Sequence, residues 1–130
     1  LYVREGKVLL VRQFRYAYGE ETLEIPAGKL DPGEDPARTA ARELAEETGW
    51  EPASVRHLYT IYPTPGYSAE KIYIYRAEGV RAGAVHPDED EFLTSAFYPV
   101  EEVLAMIGRG EIRDAKTIIA VQSLRLSGEA

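Results

Sequence analysis

The sequence predicts an α/β domain in which a mixed β-sheet is packed between helices. β-prone segments and segments of helical periodicity follow one another along the chain without the strict alternation of a doubly wound parallel sheet. The length of 130 residues, with 45% apolar side chains, fits a single domain with one core. Because the chain begins at Leu1, inside a predicted strand and without a methionine, we expect an N-terminal portion to be missing.

The strands are predicted from segments rich in Val, Ile, Tyr and Phe that Gly or Pro residues bound. These segments are residues 1–4, 7–14, 22–25, 55–62, 71–77 and 92–98. Glu5 and Gly6 are expected to turn the first two strands into a hairpin. The segment 26–33 contains two prolines and two glycines and is therefore predicted to be a loop.

Three helices are predicted. Asp35 is expected at the N-cap of the first helix, because Pro36 follows it and favours the first helical position, and Gly49 is expected to end that helix. This gives a helix over residues 36–48. Residues 100–107 and 116–126 have apolar side chains at helical spacing, and Gly108 ends the first of these two segments.

Composition excludes several classes of function. A formal net charge of −7 argues against binding to nucleic acid or to an anionic membrane, since both require clustered Lys and Arg. The absence of cysteine excludes disulfides, thiol nucleophiles and thiolate metal sites, so a metal would need oxygen ligands or His57 and His86. No apolar run approaches the roughly 20 residues of a membrane span, and no secretory leader opens the chain. We expect a cytoplasmic protein.

The helix predicted over residues 36–48 has an unusual acidic face. Glu43, Glu46 and Glu47 are spaced i, i+3 and i+4, so their carboxylates converge beside the apolar stripe that packs on the sheet. Three glutamates on a helix often form only a solvated acidic face. However, the repulsion between them would be offset by a bound divalent cation, to which the loop at Gly28 could also bring backbone carbonyl oxygens.

The spacing of the surrounding residues resembles one known motif. Gly28, five residues, Glu34, seven residues and then Arg42-Glu43-Leu44-Ala45-Glu46-Glu47-Thr48-Gly49-Trp50 match every fixed position of the Nudix box. The chain is thereby identified as similar to the Nudix family over nearly its whole length. The resemblance implies an α/β/α sandwich whose loop-helix-loop motif binds Mg²⁺ or Mn²⁺, and an enzyme that hydrolyses nucleoside diphosphates linked to another group.

The resemblance also implies roles for individual residues of the box. Glu43 and Glu47 would be the principal metal ligands together with the carbonyl of Ala27, and Glu46 would reach a further metal or its water. Arg42 would orient a glutamate. Glu34 would tie the loop to the helix, although it is also compatible with an exposed loop charge.

Three flanking segments resemble the ADP-ribose pyrophosphatase branch of the family, which cleaves ADP-ribose to AMP and ribose 5-phosphate. They are residues 12–15, residues 23–28 and residues 64–67 with Glu70, and Pro65 lies about fifteen residues past the box as in that branch. By this resemblance, Arg15 would bind the diphosphate, Glu24 would contact the terminal ribose or a metal-bound water, and Gly66 and Glu70 would line the substrate site. Outside that context, Arg15 would be a surface charge and Pro65-Gly66 a turn.

The acidic segment 88–91 contains the candidates for the general base. By itself it is typical of a solvated loop. In the ADP-ribose branch, the equivalent loop supplies a glutamate that accepts the proton of the attacking water, so Glu89 and Glu91 are both candidates. The sequence does not distinguish between them.

Two rival functions stay open at this point. Another nucleoside diphosphate sugar, such as GDP-mannose, is compatible with the same box and flanking pattern. A non-catalytic Nudix-like regulator that binds ADP-ribose is also conceivable, although its expected signs, a broken glutamate set or an attached DNA-binding segment, are not found. The resemblance further implies a homodimer, even though the N-terminal β segment that builds the dimer in this branch has no counterpart here.

Overall fold

The computed structural model describes residues 1–84 and 94–129. Within these ranges the strands are β1 (Val3–Arg4), β2 (Lys7–Arg15), β3 (Glu20–Glu24), β4 (Trp50–Glu51), β5 (Ser54–Ile61), β6 (Ile72–Glu78), β7 (Arg81–Ala82) and β8 (Ser95–Pro99). The helices are α1 (Pro36–Thr48), α2 (Val100–Gly108) and α3 (Ala115–Ser127). None of these helices is long and apolar enough to cross a membrane.

Strand β2 organises the largest sheet. It pairs antiparallel with β1, β3 and β8, and its four consecutive residues 8–11 are all buried. Such a continuous buried run is typical of a strand that is covered on both faces. The two faces of β2 therefore both contribute to the core, and its C-terminal half pairs with β3, which leads into the loop before α1.

The hairpin of β5 and β6 joins this sheet through the first residue of the chain. The backbone nitrogen of Leu1 donates to the carbonyl of Tyr75 at 2.8 Å, and the carbonyl of Leu1 accepts from the backbone nitrogen of Ala77 at 2.8 Å. One residue bonded to two residues spaced two apart is the pattern of parallel strands. The described strands pair antiparallel in three sets, β1-β2-β3 with β8, β4-β7 and β5-β6, and the parallel contact that links the third set to the first is made by Leu1, just before β1.

Helices cover both faces of the sheet. On one face, Leu9 of β2 packs with Leu44 of α1 in a cluster that also contains Tyr2. On the other face, Leu10 of β2 packs with Val103 of α2 and with residues of α3. Since neighbouring residues of a strand point to opposite faces, the sheet lies between α1 and the α2–α3 pair. The predicted α/β/α architecture is confirmed.

Helix α1 has the bounds that the sequence predicts. It begins at Pro36 and ends at Thr48, and Gly49 adopts a left-handed conformation with φ of 78° while its N–H donates to the carbonyl of Ala45. Asp35 occupies the N-cap, but its side chain makes no capping hydrogen bond. Its carbonyl instead accepts from the N–H of Thr39 at 3.0 Å, as the first bond of the helix.

The other predicted elements are found with small shifts at their ends. Strand β2 continues one residue further than expected, to Arg15, and α3 begins one residue earlier, at Ala115. Strand β3 begins two residues earlier, at Glu20, because its ladder with β2 extends to the Arg15–Glu20 pair. Of the strand expected over residues 92–98, the first two residues lie outside the described ranges, and β8 is described from Ser95.

Candidate functional site

Three residues of the Nudix box, Gly28, Glu43 and Leu44, line a cleft of about 600 Å³ between the end of β2, the loop before α1, α1 itself and β6. Its lining includes residues from widely separated parts of the chain: Arg15, Ala27, Gly28, Glu43, Glu70 and Lys116. Charged and polar groups therefore converge in one concavity, as is usual for the site of a small-molecule ligand.

Glu47 is a carboxylate whose pKa is raised by its surroundings. Burial, and then the charge of Glu43, raise the pKa of Glu47 to about 7, against a partial compensation by a hydrogen bond from the backbone of Ala27. Among the described residues, the buried Oε2 atom of Glu47 has no hydrogen-bond partner. A buried carboxylate oxygen without a donor is unfavourable unless a cation approaches it. Glu47 thus has the environment of a metal ligand.

Glu43 lies directly against the loop that precedes α1. A Cβ atom added at Gly28 would overlap the carboxyl group of Glu43, so a larger residue at this position would displace that carboxylate. The side chain of Glu43 is 18% exposed and lines the cleft. The fixed glycine of the box is therefore explained by the space that the Glu43 carboxylate occupies.

Arg42 of α1 binds three glutamates, one in the loop before the helix and two in the helix itself. Its Nε and Nη2 atoms donate to the two carboxylate oxygens of Glu34, each at 3.0 Å, while Nη1 donates to Glu43 at 3.0 Å and to Glu46 at 3.2 Å. The hydrogen bonds from Arg42 lower the pKa of Glu34 to about 2. Because Glu34 also accepts from the backbone N–H of Asp31, it ties the loop to α1.

The oxygen atoms of Glu43, Glu46, Glu47 and the Ala27 carbonyl are of the type that binds a hard divalent cation, although the three carboxylates do not surround a common point. Within residues 1–84 and 94–129, no three His, Asp or Glu side chains are arranged so that they could hold a metal together. Arg42 donates hydrogen bonds to Glu43 and Glu46, so these two carboxylates are engaged by its guanidinium. The available ligands are all oxygens, the type that Mg²⁺ and Mn²⁺ prefer, and the unpartnered oxygen of Glu47 supplies a vacant acceptor beside Glu43.

A second charged cluster surrounds Glu24, which is 1% exposed. Arg15 donates to both of its carboxylate oxygens at 2.7 and 2.6 Å, Thr22 donates at 2.5 Å and Lys116 at 2.8 Å. Burial by itself would raise the pKa of Glu24, but the hydrogen bonds from Arg15, Lys116 and Thr22 outweigh it and lower the pKa to about 2. Glu24 is therefore a permanent carboxylate whose oxygens are occupied by protein donors.

This arrangement places the predicted residues Arg15 and Glu24 differently with respect to the cleft. The side chain of Arg15 is 43% exposed and lines the cleft, whereas that of Glu24 lies beneath it at 2% exposure. A ribose hydroxyl could reach Glu24 only by displacing one of its present donors. The geometry thus brings Arg15, rather than Glu24, to the surface that a substrate would touch.

Sequence analysis missed the residues at the start of α3 that complete this cluster. Asp114, the N-cap of α3, accepts from Lys116 at 3.0 Å and from the hydroxyl of Thr117 at 2.6 Å. Thr117 in turn accepts from the backbone N–H of Ile25 at 3.0 Å. The only signal in the sequence was Asp114 as an N-cap, because the contact between Lys116 and Glu24 joins residues 92 positions apart.

Gly66 and Glu70 lie in the connection between β5 and β6. Residues 62 and 65–71 line a second cleft of about 580 Å³, and Glu70 borders both this cleft and the first one. The two concavities are thus neighbours, with Glu70 between them. Glu89 and Glu91, the candidates for the general base, lie outside the described residues.

Comparison with known proteins establishes the family. The model of the NUDIX domain matches residues 1–121 of the chain. The chain belongs to the NUDIX family. This match confirms the predicted family. The predicted fold is confirmed as well, because a crystal structure of an ADP compounds hydrolase superposes on this domain with a TM-score of 0.82 at 22% identity, covering 100% of this chain and 72% of that one.

Several curated relatives are similar over most of the chain. The methanol dehydrogenase activator of Bacillus methanolicus is 43% identical and the ADP-ribose pyrophosphatase of Bacillus subtilis 40% identical, each over 94% of this chain and 67% of the relative. The ADP-ribose pyrophosphatase of Mycobacterium tuberculosis is 38% identical over 89% of this chain and 58% of its own length. The predicted enzyme class, a Nudix pyrophosphohydrolase, is confirmed at this level of similarity.

Proposed function

We propose that this Nudix domain hydrolyses the pyrophosphate bond of ADP-ribose, in the presence of Mg²⁺ or Mn²⁺, to AMP and ribose 5-phosphate. The observation that carries the proposal is the buried oxygen of Glu47, which has no hydrogen-bond partner among residues 1–84 and 94–129 and lies near Glu43, a residue that lines the same cleft as Arg15. The choice of substrate is supported by the two ADP-ribose pyrophosphatases among the relatives and by the flanking segments around Arg15 and Glu70.

Glu43, Glu46, Glu47 and the carbonyl of Ala27 are the residues that would hold the metal. When bound, a hard divalent cation would polarise the phosphate oxygens and lower the pKa of water. The chain itself contributes the placement of these ligands. Arg42 donates hydrogen bonds to Glu43 and Glu46, and a divalent cation bound to these carboxylates would take the place of those donors.

Arg15 would bind the diphosphate. Its guanidinium donates to Glu24 through two nitrogens and is oriented by that pair, while its exposed side faces the cleft. A guanidinium held in this way presents its remaining N–H groups to phosphate oxygens at little cost in conformational entropy. Glu70, which borders both clefts, would contact the substrate together with Gly66.

A carboxylate of the segment 88–91 would act as the general base. In the reaction, water attacks one phosphorus, the bond from that phosphorus to the bridging oxygen breaks, and the carboxylate takes the proton of the water. Glu89→Gln and Glu91→Gln would separate the two candidates. We expect one of them to lower kcat by about 100-fold or more and the other to leave it within a few-fold. Wild-type kcat in both variants would rule out Glu89 and Glu91 and leave a neighbouring aspartate, Asp88 or Asp90, as the base of this segment.

GDP-mannose is the second candidate substrate. A GDP-mannose pyrophosphatase of Citrobacter koseri is 40% identical over 98% of this chain and 71% of its own length. Values of kcat/KM for ADP-ribose, GDP-mannose and a nucleoside triphosphate, measured side by side with Mg²⁺, would decide between the substrates. The proposal requires ADP-ribose to have the largest value, and a larger value for GDP-mannose would replace it.

We further propose that the enzyme acts in the cytoplasm as a homodimer. The exposed aromatic side chains of Phe14, Tyr16 and Tyr18, at the turn between β2 and β3, offer apolar surface for a protein contact. Light scattering on the full-length protein would test the dimer. The mass of a monomer at micromolar concentration would contradict it.

A further inference from the structure

The first turn of α3 reaches the candidate active site through Lys116. The side chain of Lys116 is 12% exposed and lines the same cleft as Arg15 and Glu43. Its ammonium group donates to Glu24 at 2.8 Å and to Asp114 at 3.0 Å. A nearly buried lysine that borders a polar cleft is uncommon, because burial of an ammonium is unfavourable unless its charge is used.

Lys116 and Arg15 share Glu24 as a counter-ion, and Lys116 pairs with Asp114 as well. Glu24 accepts from Arg15 through both oxygens and from Lys116 through one of them, so two cations are held side by side by one buried carboxylate. Asp114 also accepts from Lys116, so the two cations and the two carboxylates have no net charge together, and an anion would be bound through the N–H groups that the carboxylates leave unused. Within the described contacts, the ammonium uses two of its three protons and the guanidinium keeps N–H groups that Glu24 does not engage. Donors of both cations are therefore free for an anion.

The position of Lys116 is fixed by its neighbours on α3. Asp114 accepts from Lys116 and also from the backbone and hydroxyl of Thr117, and Thr117 accepts from the backbone N–H of Ile25. The segment that leads from Glu24 towards the Ala27 carbonyl is thus attached to the same helical turn as Lys116. This attachment fixes the position of the Lys116 ammonium group relative to the loop that contains Ala27 and Gly28.

We propose that Lys116, together with Arg15, binds the diphosphate group of the substrate, with Glu24 as the shared counter-ion that holds the two cations in place. The inference rests on the proposed function, because it names the group that the Nudix site binds. An anion with two phosphates offers several acceptor oxygens, which two neighbouring cations match better than one. A purely structural Lys116 would instead only neutralise Glu24.

The test compares diphosphate binding in three variants with the wild-type protein. Lys116→Gln removes the charge, Lys116→Arg keeps it, and Arg125→Gln removes one positive charge from an exposed position on the same helix, away from the cleft. The probes are α,β-methylene-ADP-ribose and inorganic pyrophosphate, titrated calorimetrically with Mg²⁺ present. We expect Lys116→Gln to raise the Kd of both probes about ten- to hundredfold, Lys116→Arg to recover most of the affinity, and Arg125→Gln to match the wild type.

A second variant guards against unfolding. If Lys116→Gln melts below the assay temperature because Glu24 has lost one counter-ion, the double variant Lys116→Gln, Glu24→Gln removes both charges of that pair. It should fold and bind both probes about tenfold more weakly than Glu24→Gln alone, in which Arg15 has lost the same orienting partner but Lys116 is still present. Wild-type Kd values in whichever of these two variants is folded would overturn the inference.

Hydrolysis of ADP-ribose by the wild-type protein separates the two proposals. If the protein binds the probes in a Lys116-dependent way but does not cleave ADP-ribose, the proposed function fails and the role of Lys116 stands. If it cleaves ADP-ribose and Lys116→Gln leaves KM and both Kd values unchanged, the role of Lys116 fails and the function stands. A folded wild-type protein that binds neither probe contradicts the inference directly.

Discussion

Replacing Glu47 by Gln is expected to stabilise the metal-free protein at about pH 8 while it abolishes turnover. Burial and the charge of Glu43 raise the pKa of Glu47 from 4.5 to about 7, so the folded protein holds a proton that the unfolded chain releases. The contribution of Glu47 to stability is therefore most favourable below about pH 4.5 and is lost as the pH rises to about 7, because the unfolded state binds fewer protons over that interval. The full effect corresponds to about 3 kcal/mol.

Solvent screening reduces this value, because Glu47 is only half-buried. We expect Glu47→Gln to increase the free energy of unfolding by about 1–2 kcal/mol at pH 8 in EDTA. Urea unfolding at about pH 5 and pH 8 measures this free energy, and the difference between the wild type and Glu47→Gln should be larger at pH 8. Glu46→Gln is the matched control, since the Glu46 side chain is 59% exposed and its removal should change stability by only a few tenths of a kcal/mol.

Mg²⁺ should reverse the order of stability. The wild-type protein gains stability from any ligand that binds only the folded state, whereas Glu47→Gln loses a ligand of that metal. A Glu47→Gln variant that is less stable than the wild type in EDTA at pH 8 would refute the account of Glu47 as a destabilised carboxylate. Full activity in the same variant would refute its role in the metal site.

Three further predictions concern the box and the core. Gly28→Ala should raise the Mg²⁺ concentration for half-maximal activity, because the added Cβ would displace the Glu43 carboxyl group, and should change stability by less than about 1 kcal/mol, because that group ends a flexible side chain; metal titrations and thermal melts measure both, and an unchanged metal requirement would contradict it. Glu34→Gln should remove stability that the wild type has above about pH 4.5 and loses as the pH falls to about 2, because Arg42 lowers the pKa of Glu34; the acid-unfolding midpoint tests this. Leu10→Ala should destabilise the protein by about 2–5 kcal/mol, since Leu10 is 0% exposed between β2 and the helices; a loss below about 1 kcal/mol would contradict its place in the core.

The local elements could be predicted from the sequence because their signals are local. Pro36 and Gly49 mark both ends of α1 correctly, and the spacing of the box places Glu43, Glu46 and Glu47 on one helix. The Gly28 requirement could also be anticipated from the box, but its cause, the contact with the Glu43 carboxyl, appears only when the loop folds back on α1. The family and the fold followed from these short-range patterns.

The second charged cluster could not be predicted, because its contacts are long-range. The resemblance implied that Glu24 contacts the terminal ribose or a metal-bound water, but no pattern in the sequence indicated that Glu24 is buried under Arg15 and against Lys116. A single sequence does not show which distant cation will neutralise a buried carboxylate. The same limit applies to the hydrogen bond between Thr117 and Ile25, which joins α3 to the end of β3 across 92 positions.

The central claim is that the Glu47 region holds a divalent cation and hydrolyses a diphosphate. The measurement that tests it most directly is release of AMP from ADP-ribose by the wild-type protein with Mg²⁺, with and without EDTA, beside Glu47→Gln. Rapid release that EDTA and Glu47→Gln both abolish is the predicted result. Release that continues in EDTA, or no cleavage of ADP-ribose or GDP-mannose by the folded full-length protein, would contradict the claim.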